Sequence, residues 1–199
     1  MDTADQALER LKKGNAAFVA NKEQEQSRRL APTETHKPYA IIVGCSDARV
    51  PAEQLFDAGP GDLFIIRVAG NIVGQTQLGS IEYAAANLGT RLVVVLGHTQ
   101  CGAVGATVGE LMNPGGDHSD NLKSLVNEIS PCVHELMTGD LAKDEKALAA
   151  AGVRANVEQS MRLMRQRSKV LDDLANNEGL KIVGAEYAIE TGEVDFFKA

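Results

Sequence analysis

Short apolar runs rich in β-branched residues alternate along this chain with segments in which apolar residues recur at helical spacing. Runs of this kind are typical of strands that are buried on both faces of a parallel sheet. The predicted strands cover residues 39–44, 63–68, 91–97, 180–184 and 193–197. A Thr191-Gly192 turn joins the last two of them.

The remaining segments predict helices, of which the first is expected at the periphery of the molecule and the others beside the sheet. Helical spacing extends over 3–20, 76–88, 101–112, 119–137 and, as one further stripe, 153–174. Thr3 and Gln6 can cap the first helix, because each side chain can bond a free backbone N–H. Pro131 can kink or divide the fourth helix. A polar connection over 24–37 follows the first helix.

The alternation of strands and helices indicates the α/β class, with a mostly parallel central sheet flanked by helices. A length of 199 residues, of which 44% are hydrophobic, fits one domain with a full-sized core. We therefore expect a single domain over 1–199, in which 1–36 forms an N-terminal helical arm and a connection.

Charge and composition argue against several classes of function. The net charge of −7 and the lack of a long basic run argue against a nucleic-acid partner. No apolar stretch approaches the ~18 residues of a membrane span, and residues 1–10 contain no apolar secretory core. We expect a cytoplasmic protein with no membrane contact, in which Cys45 and Cys101 are reduced and form no disulfide.

Two short motifs each follow a predicted strand and carry side chains that bind metals. Cys45 follows the first strand, and His98 and Cys101 follow the third. Since the carboxyl ends of parallel strands meet at one edge of a sheet, these three side chains are expected to lie together. Two thiols and one imidazole form a Cys2His set, which with an open fourth position is a catalytic zinc arrangement.

Each of these residues also has a purely structural explanation. A His-x-x-Cys spacing occurs by chance, and a buried cysteine beside a hydrogen-bonded histidine at a strand end accounts for the residues as well. Asp47 and Arg49 can form an ion pair that shapes the turn after Cys45. Such a pair is compatible with catalysis, because it can also orient the groups around a metal.

The segment Cys45-Ser46-Asp47-Ala48-Arg49 resembles the Cys-Ser-Asp-Ser-Arg motif of the β-class carbonic anhydrases, and His98-x-x-Cys101-Gly102 resembles their second zinc motif. Segments 67–73, 80–83 and 180–194 are also similar to this family, so the resemblance covers nearly the whole chain. Position 48 departs from the motif, and the Trp of a bicarbonate-regulated subgroup is absent because the chain has no Trp. The resemblance implies a β-carbonic anhydrase-like fold and the reversible hydration of CO2 to bicarbonate and a proton.

By this resemblance, Cys45, His98 and Cys101 hold Zn2+, and water takes the fourth position. Asp47 and Arg49 are then catalytic residues. Arg49 supplies positive charge and keeps Asp47 ionised, and Asp47 accepts a hydrogen bond from the zinc-bound hydroxide. If this pair breaks, Asp47 can itself bind zinc, which resembles the closed state of some family members.

The resemblance also implies a small apolar pocket, since CO2 carries no charge. Phe64, Ala69 and Tyr83 would line this pocket, with plain core packing as the alternative explanation. His36 stands where many members have Gln, so it can replace the substrate contact of that amide or add a titrating group. Gly102 follows the last zinc ligand, and it allows either a close backbone approach to that ligand or close packing of a helix.

Some pocket groups of the family come from a neighbouring subunit, and helix 3–20 resembles the arm that wraps the partner. We therefore expect a homodimer or an assembly of dimers such as a homotetramer. Two other functions stay open at this point. One is hydrolysis of CS2 or COS on the same scaffold, and the other is a non-catalytic, zinc-bound structural or regulatory role.

Overall fold

A computed structural model describes residues 2–20, 36–59 and 61–197. Most of the polar connection predicted over 24–37 lies outside these ranges. Among the described residues, no helix is both long enough and apolar enough to cross a membrane.

The strands form one sheet whose members match the apolar runs of the sequence. They are β1 Ala40–Gly44, β2 Leu63–Arg67, β3 Leu92–His98, β4 Lys181–Tyr187 and β5 Val194–Phe197. Their order in the sheet is β2-β1-β3-β4-β5. The first four strands are parallel, and β5 runs antiparallel beside β4. The predicted mostly parallel sheet is therefore confirmed, although β4 runs beyond residue 184 because it pairs with β3 as far as His98.

Helices cover both faces of this sheet. The described residues form α1 Ala4–Ala20, α2 Ala52–Leu55, α3 Gln75–Asn87, α4 Gly102–Met112, α5 Asp120–Leu136, α6 Glu145–Arg167 and α7 Lys169–Asn177. Short 3-10 turns lie at Ala69–Asn71 and Leu141–Lys143. The α/β architecture with an N-terminal helix is thus confirmed.

The prediction of one helical stripe over 153–174 is wrong, because the chain breaks there into two helices. Ser168 has extended backbone angles, and its Oγ accepts a hydrogen bond from the Leu171 amide at 3.1 Å, which caps the start of α7. The preceding helix also begins earlier than predicted, where the Asp144 side chain accepts from the Ala147 amide at 2.9 Å. By contrast, α5 continues through Pro131 without dividing.

The N-terminal helix packs against the sheet of its own chain. Its start has the predicted reciprocal caps, since the Gln6 amide donates to Thr3 Oγ1 at 3.2 Å and the Thr3 amide donates to Gln6 Oε1 at 2.9 Å. Ala7 and Leu11 are buried in the same hydrophobic cluster as Leu92 on the central strand β3. α1 therefore covers one face of the sheet, whereas we expected it at the periphery; its role as an arm around a second subunit stays a prediction.

Helices α3, α6 and α7 cover the other face of the sheet. Val93 and Val95 of β3 point to this side, where they share a buried cluster with Ile81 of α3, Val157 of α6 and Leu171 of α7. β1 and β3 are buried along their whole length. Their carboxyl ends are consequently held in fixed positions, and the candidate site lies at those ends.

Candidate metal centre

Three potential metal ligands meet at the carboxyl ends of β1 and β3. Cys45 follows β1 directly, His98 is the last residue of β3, and Cys101 precedes α4. The register pairs Gly44 with Leu96, which places Cys45 level with the end of β3. One ligand atom from each of the three residues lies within 4.8 Å of the other two, and all three residues are buried. The geometry expected from the two sequence motifs is present.

The imidazole of His98 has one ring nitrogen, Nε2, available to bind a metal beside Cys45 and Cys101. Its Nδ1 lies 2.8 Å from the Thr99 carbonyl oxygen, and because that oxygen can only accept, Nδ1 carries the proton. Nε2 is buried and has no hydrogen-bond partner among the described residues. A buried nitrogen lone pair beside two thiols is the donor arrangement that zinc prefers. The residues therefore fit the implied metal.

The two thiols have unequal proton affinities in this arrangement. The hydrogen bond from Cys101, helped by contacts with His98 and Gly70, lowers the pKa of Cys45 in spite of its burial. The same contact between the thiols raises the pKa of Cys101, and burial raises it further. Burial is the largest single effect on His98 and opposes its charge, but the contacts with Cys45, Thr99 and Asp47 together outweigh it and raise the pKa of the imidazole. A cation placed among these groups would remove the repulsion between two thiolates.

Asp47 and Arg49 form the predicted ion pair beside the cluster. Asp47 Oδ1 accepts from the Arg49 backbone amide at 2.9 Å and from Nε at 3.0 Å, and Oδ2 accepts from Nη2 at 2.7 Å. These bonds from Arg49 hold the pKa of the Asp47 carboxyl well below its usual range. Asp47 Oδ2 is also only 4.0 Å from His98 Nε2. The carboxylate thus lies next to the ligand atoms while Arg49 holds both of its oxygens.

Arg67 fixes the backbone of the first motif. Its Nε donates to the Cys45 carbonyl at 3.0 Å, and its Nη2 donates to the Asp47 carbonyl. Since Arg67 ends β2 and pairs in register with Gly44, its guanidinium is delivered by the sheet itself. These two hydrogen bonds fix the backbone of residues 45–47, which lie beyond the end of β1, and so hold Cys45 in one orientation.

The loop that carries the second motif is held from the β4–β5 turn. Glu190 accepts hydrogen bonds from Thr99 Oγ1, at 2.8 Å, and from Gln100 Nε2. Gln100 has a φ of 57°, a left-handed conformation that costs energy for a residue with a side chain. Its carbonyl oxygen lies 3.4 Å from Arg49 Nη2 and accepts a hydrogen bond from it. Glu190 therefore supports a strained loop that in turn contacts the ion pair.

The predicted pocket residues divide into two groups. His36, Phe64 and Tyr83 lie in a row: His36 stacks on Phe64 with ring centroids 5.7 Å apart, and Tyr83 lies tilted against Phe64 at 6.5 Å. Phe64 lies on the edge strand β2, where it pairs with Ile41 of β1. Ile41 lies three positions before the end of β1 at Gly44, so the Phe64 backbone lies about 10 Å before the end of the sheet at which Cys45 is found. The structure therefore brings these three rings together, but on the edge of the sheet and away from the three candidate ligands of the same chain.

The other two predicted pocket residues lie at the ligands. Ala69 is half-buried and precedes Gly70, whose amide donates to Cys45 Sγ at 3.3 Å. Gly102 begins α4 and is exposed, and a Cβ added there would meet no described protein atom within 4 Å. Close helix packing within the chain therefore does not explain glycine at position 102.

A cavity of about 720 Å3 lies elsewhere, between α5, α6 and β4. It is bordered by charged side chains that include Arg162 and Glu135, and none of the three metal-ligand residues lines it. Its buried Cys132 donates to the Ile129 carbonyl at 3.1 Å, and burial raises the pKa of this thiol to about 11. This cysteine is a core residue.

Sequence reasoning missed several residues that support the site. Asn156 and Ser160 of α6 are buried and bond the backbone of the 69–71 turn, and Glu190 bonds the loop of the second motif. The signal for the first two was a pair of small polar residues four apart, within a helix that packs on the sheet. No local signal in the sequence indicated the role of Glu190.

Comparisons with known proteins place this fold and these motifs in one family. A family model described as carbonic anhydrase matches residues 40–194. Carbonic anhydrase 2 of Mycobacterium tuberculosis is 35% identical over 190 residues, which cover 94% of this chain and 89% of that protein. The carbonic anhydrase of Mycolicibacterium smegmatis is 35% identical over 193 residues, with 95% and 91% covered.

Solved structures agree with this assignment at the level of the fold. A tetrameric β-carbonic anhydrase of Sordaria macrospora matches with a TM-score of 0.74 at 24% identity, over 92% of this chain and 91% of that one. A β-carbonic anhydrase of Aspergillus fumigatus matches with a TM-score of 0.73 at 23% identity, over 82% and 76%. The sheet and its helices are thus those of a carbonic anhydrase. The chain belongs to the β-class carbonic anhydrase family and is an enzyme of that family.

Proposed function

We propose that this chain catalyses the reversible hydration of CO2 to bicarbonate and a proton at the cluster of Cys45, His98 and Cys101. The observation that carries the proposal is the combination of three buried metal ligands with an Asp47–Arg49 pair at their side. A purely structural zinc site uses four protein ligands. Here the fourth candidate, Asp47, has both oxygens bonded to Arg49, which favours a catalytic site with an open position.

Cys45, His98 and Cys101 would hold the zinc ion. When bound there, zinc supplies a Lewis acid that lowers the pKa of water toward neutrality. Two thiolates cancel much of its charge, so neighbouring groups matter more than they would at a site of three imidazoles. Arg49 supplies a nearby positive charge, and Asp47 presents an ionised oxygen 4.0 Å from His98 Nε2, where it can accept a hydrogen bond from the reacting water and so orient it.

The apolar surroundings of the ligands suit an uncharged substrate. Cys45 and Cys101 share a buried cluster with Ile72 and Val104, and the half-buried Val68 packs against it. CO2 needs no charged partner for binding, and an apolar wall excludes water that would compete for the same space. This apolar cluster and the ionised Asp47 thus both border the three proposed ligands.

Stopped-flow CO2 hydration by the zinc-loaded protein tests the proposal. We expect turnover that is greater at mildly alkaline than at neutral pH, because ionised water is the attacking species. CS2 and COS, offered in the same assay, should be poorer substrates than CO2. Zinc-loaded protein with no CO2 hydration, or with faster hydrolysis of COS or CS2, would refute the assignment.

We also propose that two copies of the chain complete each other's sites. His36, Phe64 and Tyr83 form their row on the edge strand β2, and Tyr83 is 53% exposed. An exposed aromatic row along an open strand edge is a favourable surface for a second copy. The relative from Sordaria macrospora is described as tetrameric, which supports a homodimer or an assembly of dimers for this chain.

Mixing two inactive variants tests this shared site. Tyr83→Ala lacks an aromatic ring and His98→Ala lacks a ligand, so each alone should be weakly active or inactive. In a mixed dimer the ligands of one chain meet the intact rings of the other, and we expect activity to reappear. Sedimentation at assay concentration should show dimers or larger species. A fully active monomer, or mixtures no more active than their components, would contradict the proposal.

We further propose a reducing compartment such as the cytoplasm. Cys45 and Cys101 lie close together as free thiols, and a disulfide between them would remove two metal ligands.

A further inference from the structure

The 3-10 turn Ala69–Asn71 has an unusual backbone. Gly70 has a φ of 69° and Asn71 a φ of 44°, so two successive residues adopt left-handed conformations. A Cβ on Gly70 would lie 2.7 Å from Ile129 Cδ1 and 3.1 Å from Ala103 Cβ, so a larger residue would force these side chains to move. Asn tolerates the left-handed region better than most residues, but the pair still needs external support.

Two side chains of α6 provide that support. Asn156 Nδ2 donates to the Gly70 carbonyl at 2.7 Å, and Ser160 Oγ donates to the Asn71 carbonyl at 3.1 Å. Asn156 is 1% exposed and Ser160 is 2% exposed, so water does not compete for these bonds. They lie four residues apart and therefore on one face of the helix, which clamps two successive carbonyls of the turn.

The clamped turn directs one amide at a proposed metal ligand. Gly70 N–H donates to Cys45 Sγ at 3.3 Å. The carbonyl that Asn156 holds belongs to this same residue, Gly70, so the hydrogen bond from α6 fixes the residue that contacts the sulfur. An amide hydrogen bond to a thiolate withdraws charge from the sulfur and selects one orientation of its side chain.

We propose that Asn156 is a positioning residue of the metal centre, acting through the Gly70 amide on Cys45 and assisted by Ser160. The inference rests on the proposed function, because it requires Cys45 to be a metal ligand. The burial of Asn156 is consistent with it, since its Oδ1 has no hydrogen-bond partner among the described residues and a plain packing role would favour an apolar side chain.

Metal binding by Asn156→Ala tests the inference. Zinc affinity is measured by competition with a chelator, and the cobalt-substituted protein is followed through its thiolate-to-cobalt absorption. We expect the apparent Kd for zinc to rise by about 10-fold or more, the usual effect of losing an outer contact to a ligand. The cobalt absorption should change in position or intensity, because the orientation of the Cys45 sulfur is no longer fixed.

Gln159→Ala is the matched control. Gln159 lies in the same helix, is 4% exposed, and donates to the Glu128 carbonyl at 2.6 Å, so its loss also removes a buried amide from α6. This variant should lose stability but keep the zinc affinity and the cobalt spectrum of the parent. Equal changes in both variants would overturn the inference, because they would reflect general loosening of α6.

The remaining outcomes are equally decisive. Unchanged metal affinity and spectrum in folded Asn156→Ala would overturn the inference. If that variant does not fold, Ser160→Ala removes only one hydroxyl, and it should shift the cobalt spectrum in the same direction by a smaller amount. Its failure to do so would also overturn the inference. A parent protein that binds cobalt through thiolates but does not hydrate CO2 would refute the proposed function and leave this inference standing.

Discussion

Purified His98→Ala and Cys101→Ser proteins are expected to contain almost no zinc and to hydrate CO2 no faster than buffer. Each change leaves two of the three ligands, and the loss of a ligand should exceed the ~100-fold effect of losing an outer contact. The serine hydroxyl at 101 would not replace a thiolate, because it stays protonated at neutral pH. Metal analysis after dialysis against a weak chelator measures the loss directly.

Cys132→Ala is the control for these variants. Cys132 is buried, and its thiol donates to the Ile129 carbonyl. Because it is not among the three clustered ligand residues, we expect parental zinc content and activity in a somewhat less stable protein. Undiminished zinc in Cys101→Ser would remove Cys101 from the ligand set. It would return this residue to the simpler role of a buried cysteine at the start of α4.

Arg49→Ala is expected to keep its zinc and to lose about 100-fold in activity, the upper end of the range for groups that orient a metal site. Arg49 donates to both carboxylate oxygens of Asp47, and its removal frees a charged group that lies 4.0 Å from His98 Nε2. The released carboxylate can then approach the ligands and compete with water. Stopped-flow assays alongside metal analysis separate the loss of activity from the loss of metal.

The pH dependence of this variant follows from the direction of the Asp47 shift. Arg49 lowers the pKa of Asp47. In the parent protein the ion pair is therefore fully formed at any pH above the usual pKa of a carboxyl group, and it is lost only as the pH falls through the lowered pKa. A decline in parental activity from mildly alkaline to mildly acidic pH therefore comes from the reacting water and from displacement by Asp47. In Arg49→Ala that decline should begin at higher pH, because Asp47 competes more strongly.

Two further variants make this prediction specific. Asp47→Asn should also lose activity, but no carboxylate from this position can then block the metal. Its residual activity should therefore not show the steeper fall at acidic pH that we expect for Arg49→Ala. Arg165→Ala removes a similarly exposed guanidinium that pairs with Asp172 at 2.8 Å, far along α6, and should leave activity unchanged. Activity of Arg49→Ala close to that of the parent at mildly alkaline pH would show that the pair only shapes the turn.

The sheet and the ligand cluster could be predicted from the sequence because both depend on strong local signals. A strand such as 92–96 is apolar throughout, which is compatible only with burial on both faces. Once the strands are placed, the topology rule for their carboxyl ends brings Cys45 and His98 together without further information. The Asp47–Arg49 pair was predictable because the two residues are two positions apart in the same short loop, so their side chains have few other partners.

Other features depend on tertiary contacts that leave little trace in the sequence. The segment before Val153 is rich in Ala and Gly, so α6 shows no alternation of large apolar and polar residues there. Its true start at Glu145 was therefore missed. Asn156 and Ser160 resemble solvent-facing positions until the 69–71 turn is seen against them. The packing of α1 on its own sheet was also missed, because periodicity shows that a helix has an apolar face but not which surface covers it.

The ligand cluster joins two distant parts of the chain, and this couples metal binding to folding. His98 and Cys101 are near neighbours in sequence, but Cys45 reaches them only after β1 has paired with β3. An unfolded chain therefore offers a two-ligand fragment, and only the assembled sheet offers the complete set. If zinc binds this set as proposed, free zinc would by mass action shift the equilibrium toward the folded chain, by an amount that depends on the zinc concentration relative to the dissociation constant. The concentration of free metal around the protein would then contribute to the free energy of unfolding of the chain.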